Sequence, residues 1–257
     1  MNIISWNYRG TASKGFSFII KDLVYRYHAN LIFLLETHIS GHKAEATIKN
    51  LGFDSWCISD ADGFAGGIWC LWNKSLWNIE PEIIEKQFVH LKVRYKQEKP
   101  WWLTAIYGSP HVKNRSSLWN KLEELAMGIN GPWCLGGDFN SVATLDDTGG
   151  NSNLSQDTNR FISCMRNCNL NSLDFSGPPY TWQRGKVKRR LDRFICNINF
   201  CSLFPTEGVR HLPKLKSDHL PLLLDFNIST VQGGERPFRL LAPWLIHEDY
   251  NNLVAQS

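Results

Sequence analysis

The chain has 257 residues, 43% of them hydrophobic and 20% charged, with a net charge of +4. This is a soluble globular profile, long enough for one large core or two small ones. No apolar run approaches the ~18 residues of a membrane span, and the small positive excess suits an anionic partner without requiring one.

In chain order, "NIISWNY" reads as a first strand. Phe16, Ile20, Leu23 and Tyr27 then recur at helical spacing, which predicts a helix over 16–27. "LIFLLETH" is a buried strand that meets a sudden charge at Glu36, and Ala44 to Leu51 is a short helix. Four apolar segments separated by turns follow, "FDSWCIS", "GGIWCLWN", "QFVHLKVRY" and "WWLTAIYGS". A helix over 115–129 carries Leu118, Leu122, Leu125 and Ile129 on one face. "PWCLGGDFN" is the next strand, and Phe161, Met165 and Cys168 mark a helix in 156–169. "PYTWQRG" and "RRLDRFICN" are expected to pair as a hairpin with Lys186 to Arg190 at its tip, and "HLPLLLDF" is the last strand, ending near Phe226. Alternating strands and helices of this kind predict an α/β domain. "STVQGGERP" reads as a linker, so the expected division is a domain over 1–228 and a linker with a connector stub over 229–257. Seven cysteines, an odd count with no CxxC pair, together with the lack of a signal-like start, read as reduced thiols of an intracellular protein.

Polar residues collect where the predicted strands end. Asn7 follows "IISW", Glu36 follows "LIFLL", Tyr107 follows "WWLTAI", and Asp138 and Asn140 follow "PWCLGG". Asp192 lies in "RRLDRF", while Ser217, Asp218 and His219 precede "LPLLL". Any one of these has a plain structural explanation, such as an Asx turn at Asp138. So many together point to one shared cleft at the strand ends. The oxygen-rich set suits a hard cation such as Mg²⁺, and a histidine beside an aspartate adds a proton-transfer group. Together they suggest metal-assisted hydrolysis of a phosphate ester.

The ordered motifs "ISWNYRG", "LLETH", "AIYGSP", "GGDFN", "YTW", "RRLDRF" and "SDHLPLLL" resemble the endonuclease/exonuclease/phosphatase superfamily. More narrowly, they resemble the endonuclease domain of plant long interspersed (non-LTR) retrotransposon polyproteins, and "RPFRLLAPWLIHEDY" resembles the connector that follows it. The resemblance implies a four-layered α/β sandwich, two facing mixed sheets with helices outside. It also implies Mg²⁺, with Mn²⁺ as a substitute, held by Glu36 with Asn7 and Asp218. Asp138 and Asn140 match the residues that orient the attacking water and hold the phosphate, and Tyr107 a tyrosine near the scissile bond. Asp218 and His219 match the closing pair, and Asp192 the aspartate that orients the histidine. Whether Asp138 or His219 is the base stays open at this point. Arg9, Lys186, Lys188, Arg189 and Arg190 are the expected DNA contacts, with His38 a further neighbour; Trp182 is expected in the core.

The expected function is a Mg²⁺-dependent, DNA-nicking endonuclease. It would act as a monomer, away from membranes and in the nucleus, as a truncated piece of a reverse-transcriptase polyprotein. Two alternatives are a phosphatase of the same fold acting on a phospholipid or inositol phosphate, and a non-catalytic relic that binds nucleic acid.

Overall fold

A computed structural model describes residues 1–11, 15–63, 65–96, 98–149 and 155–226. The linker and connector expected over 229–257 lie outside the described residues. In chain order the elements are β1 (Asn2–Asn7), α1 (Phe16–Tyr27), β2 (Leu31–Leu35), α2 (Gly41–Lys49), β3 (Ser55–Ser59), β4 (Ile68–Trp72), β5 (Trp77–Ile84), β6 (Phe88–Tyr95), β7 (Trp101–Tyr107) and α3 (Val112–Gly128). They continue as β8 (Trp133–Asp138), α4 (Gln156–Asn167), β9 (Asn171–Ser172), β10 (Phe175–Ser176), β11 (Trp182–Arg184), β12 (Val187–Arg189), β13 (Asp192–Cys196), α5 (Ile198–Leu203), β14 (Gly208–His211) and β15 (Leu222–Asp225).

Thirteen strands form two large mixed sheets, in the orders β10-β14-β15-β1-β2-β4-β3 and β5-β6-β7-β8-β13-β9, and β11 and β12 pair by themselves. Side chains alternate across each strand, and this divides the apolar residues between layers. Ile3, Phe33 and Cys70 of the first sheet meet Leu91, Leu103 and Phe194 of the second in a central core. Ile4, Ile32 and Leu34 face the other way, onto Phe16, Ile20 and Leu23 of α1 and Ile48 of α2. Leu135 and Ile195 face Trp119 and Leu122 of α3 and Phe161 of α4. The result is the expected four-layered α/β sandwich. Central strands buried on both faces explain why "LIFLL" is apolar throughout rather than alternating. Helix α4 starts where it does because Ser155 accepts a hydrogen bond from the Thr158 backbone N–H at 3.2 Å, capping the first turn.

Three parts of the sequence reading differ from the structure. Strand β5 was not anticipated. It is an edge strand paired only with β6, mostly exposed, with an irregularity between Pro81 and Ile83, so it lacks the alternation that marks a half-buried strand. The short β9, β10, α5 and β14 carry too few residues to show a period. The expected hairpin is also divided differently. Trp182 pairs with Arg189 and Arg184 with Val187, so the tip is Gly185 and Lys186 alone. Asp192–Cys196 instead joins the second sheet, antiparallel to β8. Tight two-residue turns favour glycine, and Gly185, at φ 58°, sets the turn earlier than the apolar pattern suggests.

Candidate active site

Asn7 ends β1, Glu36 immediately follows β2, Tyr107 ends β7 and Asp138 ends β8. Strands β1 and β2 run parallel, as do β7 and β8, so all four residues arrive at one end of the sandwich. β13 enters antiparallel to β8 and places Asp192 directly opposite Asp138. β15 runs antiparallel to β1, so the Ser217–His219 turn before it reaches the same end.

The turn around Asp138 depends on its two glycines. A Cβ on Gly136 would meet the Phe194 ring, and one on Gly137, at φ 148°, would meet the Ile106 carbonyl. Phe139 then turns into the core against Trp119 and Phe161. The extended backbone stops at Asn140, which takes φ 47°. The Asx turn and the functional reading coexist: Asp138 Oδ1 accepts from the Asn140 backbone N–H at 2.8 Å, and Oδ2 accepts from the Asn140 side chain at 3.1 Å. The same amide nitrogen donates to the Gly108 carbonyl at 2.8 Å. Arg9, Glu36 and His38 also have positive φ. Such a concentration of uncommon backbone is characteristic of functional sites.

The side chains form a connected network. Asn7 Nδ2 donates to Asp138 Oδ2 at 2.9 Å and reaches Glu36 Oε1 at 3.3 Å. Tyr107 donates its hydroxyl to Glu36 Oε1 at 2.9 Å. His219 Nδ1 lies 2.9 Å and 3.1 Å from the two oxygens of Asp192, and its Nε2 is 3.8 Å from Asp138 Oδ2. Asp138, Asp192 and His219 are all buried. Burial alone would strip the imidazole of its proton. The charges of Asp192 and Asp138 outweigh it and push the His219 pKa up to about 9. Burial, followed by the Asp192 charge, pushes the Asp138 carboxyl up to about 7. Burial, then the Glu36 charge, keeps the Tyr107 hydroxyl protonated well above its ordinary value.

The remaining predicted residues divide. Asp218 Oδ2 accepts from Arg9 Nη1 at 2.5 Å and from Trp182 Nε1 at 3.0 Å. Arg9 also donates through Nε to Glu36 Oε2 at 3.1 Å, and His38 Nε2 lies 3.4 Å from the same oxygen. Trp182 is therefore a half-buried polar partner of the site rather than a core residue. Lys186 and Lys188 are exposed on the β11–β12 hairpin, and Arg189 is half-buried there. Arg190 lies beyond the hairpin, where its Nε donates to Asp147 at 2.6 Å. Two supports complete the site: Ser217, which the sequence places at a strand end without a role, and Thr181, which the sequence reading does not single out. Ser217 donates to the Asn7 carbonyl at 2.7 Å and accepts from the His219 backbone N–H at 3.1 Å. Thr181 Oγ1 accepts from the Leu191 and Asp192 backbone N–H groups, both at 3.0 Å. Ser217 adjoins "DH" and Thr181 lies within "YTW", so the motifs themselves held the signal.

Two groups of side chains offer donor atoms for a cation. Asp138, Asp192 and His219 bring one ligand atom each within 4.8 Å of one another. His219 Nδ1 is already engaged with Asp192, and the charges of Asp192 and Asp138 favour the protonated ring. Glu36 and Asp218 are instead two carboxylates that share a cation, the Arg9 guanidinium. Asp218 Oδ1 and Asn7 Oδ1 beside them are buried oxygens without a hydrogen-bond partner among the described residues. Such an oxygen-only set fits the hard cation that the sequence leads one to expect. A cleft of about 500 Å³ opens beside Tyr107 and runs past Gln87 and His111 toward Lys86 and Lys121.

Solved structures of other proteins share this architecture. The endonuclease domain of TRAS1, a telomere-specific non-LTR retrotransposon, superposes with a TM-score of 0.65 at 14% identity, covering 87% of this chain and 96% of that one. The AP endonuclease LMAP from Leishmania major gives 0.67 at 15% identity, covering 87% and 86%. The 3'-5' exonuclease NExo from Neisseria meningitidis gives 0.66 at 17% identity, covering 88% and 100%. At these identities the likeness establishes the fold. No curated protein matches the sequence. The sequence profile of the Endonuclease/Exonuclease/phosphatase family matches residues 4–219, from the first strand to the site histidine. With this match over most of its length, the chain belongs to the endonuclease/exonuclease/phosphatase family.

Proposed function

We propose that the chain is a Mg²⁺-dependent phosphodiester hydrolase that nicks DNA, and that it descends from a retrotransposon endonuclease. The observation that carries this reading is the continuous network from Asp192 through His219 and Asp138 to Asn7, Glu36 and Tyr107 at one end of the sandwich. The motif order of non-LTR endonucleases supports the retrotransposon origin. On this reading residues 1–228 are the catalytic unit, 229–257 the connector, DNA the partner and the nucleus the place of action, with the chain acting as a monomer.

Glu36, Asp218 and Asn7 would hold the cation, which when bound offsets charge on the phosphate and the leaving oxygen. Mn²⁺ would serve in place of Mg²⁺. Asp138, raised to about 7, takes the proton of the attacking water. Asn7 and Asn140 fix the orientation of its carboxylate. His219, raised to about 9, stands charged at neutral pH and stabilises negative charge on the phosphorus oxygens. Asp192 holds the ring in place. Asn140, whose amide hydrogens go to Asp138 and Gly108, acts through Asp138, and the neutral Tyr107 hydroxyl would turn from Glu36 to donate to the phosphate.

Supercoiled plasmid incubated with Mg²⁺ should be converted to the open circle, and excess chelator should abolish the conversion. Release of phosphate from an inositol phosphate or phospholipid, with intact plasmid, would instead identify a phosphatase. DNA binding with neither product would identify a relic.

The exposed hairpin favours nucleic acid over a small phosphate ester. If Lys186 and Lys188 each contact a phosphate, replacing both with glutamine removes two counterion-releasing contacts. The slope of log K against log salt should then fall by about 1.8. The melting temperature should not change, because both side chains are exposed. An unchanged slope would show that the hairpin is only solvated.

A further inference from the structure

Arg9 is held in place by backbone, not only by its side-chain partners. The segment after β1 stays hydrogen-bonded to the segment after β2, with Tyr8 N–H to the Leu35 carbonyl at 3.2 Å, Gly10 N–H to the Glu36 carbonyl at 2.8 Å and Thr11 N–H to the Thr37 carbonyl at 3.1 Å. Arg9 itself takes φ 56° between these anchors. Its guanidinium then joins Glu36 Oε2 to Asp218 Oδ2, two carboxylates from distant parts of the sequence. The other Glu36 oxygen is taken by Tyr107 and Asn7. Among the described residues, Arg9 is the one donor on Glu36 with a fixed positive charge, and its side chain is 44% exposed, so it has room to leave.

We propose that Arg9 is a built-in counter-ion of the metal site, occupying the space between Glu36 and Asp218 and competing with the divalent cation for it. Resting on the metal-dependent reading above, this makes Arg9 a regulator of metal affinity. A fixed guanidinium and a divalent cation repel strongly at such distances. Arg9 must therefore move outward when both carboxylates turn to a cation. Without Arg9 the same carboxylates would carry uncompensated charge and bind the cation more tightly.

The test is Mn²⁺ binding without DNA, followed by the electron paramagnetic resonance signal of the free ion. Arg9→Gln should bind Mn²⁺ about tenfold more tightly than the wild type. Glu36→Gln should lose that binding, and Arg9→Lys should fall between Arg9→Gln and the wild type. Circular dichroism melts establish that each variant is folded. In the wild type, the Arg9 Nε–H resonance should lose its protection from solvent exchange when Mg²⁺ is added, a readout that needs no variant. Equal or weaker binding by Arg9→Gln, with Glu36→Gln still abolishing it, would overturn the role of Arg9 and leave the metal site standing. An Arg9 resonance unmoved by saturating Mg²⁺ would overturn it too. If Mn²⁺ binds none of these proteins, the metal site and the counter-ion fail together.

Discussion

Replacing His219 with alanine should lower plasmid nicking by roughly a thousandfold, within the range that one positioned proton-transfer or charge-stabilising group contributes. Asp192→Asn keeps the shape of the pair but removes the charge that holds the proton on His219, and should cost roughly a hundredfold. The double variant should lose little more than His219→Ala alone, because Asp192 acts through the ring. Losses that multiply to roughly 10⁵ would mean that the two residues act separately. Stability must be followed alongside. Without the imidazolium, Asp138 and Asp192 face each other while buried. His219→Ala is therefore expected to lose about 2 kcal/mol of stability. Asp192→Asn in the same chain should restore part of that, since one of the two charges is gone. A partner effect of opposite sign on stability and turnover separates a reacting pair from simple packing.

The second large effect is structural and lies behind the site. Asp147 accepts from the Ala143 and Thr144 backbone N–H groups at 2.7 and 3.0 Å. It also accepts from Arg190 Nε at 2.6 Å and from Arg193 at 3.0 Å. It thereby ties the loop after "GGDFN" to the segment that carries Asp192. Arg193 is fully buried, and its Nε and Nη1 have no hydrogen-bond partner among the described residues. Asp147→Asn leaves that guanidinium without its counter-charge, and breaking a buried pair in this way costs about 3–5 kcal/mol. Against a typical total of roughly 5–15 kcal/mol, the denaturation midpoint should fall sharply. Adding Arg193→Met should recover much of the loss, because an apolar side chain of similar length removes the stranded charge. If the single variant unfolds at the wild-type midpoint, the network is dispensable.

The pH dependence follows from the same group. Burial alone would raise the Asp147 carboxyl, but the charges of Arg193 and Arg190 outweigh it and hold the pKa below the ordinary value. Its stabilising contribution is therefore complete above the unfolded carboxylate pKa of roughly 4. It is lost as pH falls through the lower, folded value. The stability gap between the wild type and Asp147→Asn should narrow over that acid range and stay constant at neutral pH.

Much of this was legible in the residues. The period of Phe16, Ile20 and Leu23 marks α1 because a helix with one buried face must repeat that way. The abrupt passage from "LIFLL" to Glu36, and from "WCLGG" to Asp138, locates strand ends because a carboxylate there needs partners or water. Edge strand β5 is not legible in the sequence because only Trp77 and Ile79 at its start face the core, and the exposed remainder carries no pattern. The β11–β12 pairing was misassigned because strand character does not name a strand's partner.

By itself, the sequence determined the alternation of elements, the polar residues at the strand ends and the family to which the chain belongs. These depend on local spacing and on the order of short motifs, both of which are properties of the chain as written. Only the tertiary structure decided which charges meet. Arg9 and Asp218 are 209 positions apart, and Asp147 and Arg193 are 46 apart. Asp218 stands out at a strand end, but nothing in the local sequence says which charge any of the four meets. The charge on His219 was likewise settled by the fold. An imidazole has no fixed state of its own near neutral pH, and the charges of Asp192 and Asp138, which outweigh the effect of burial, favour the protonated form of this one.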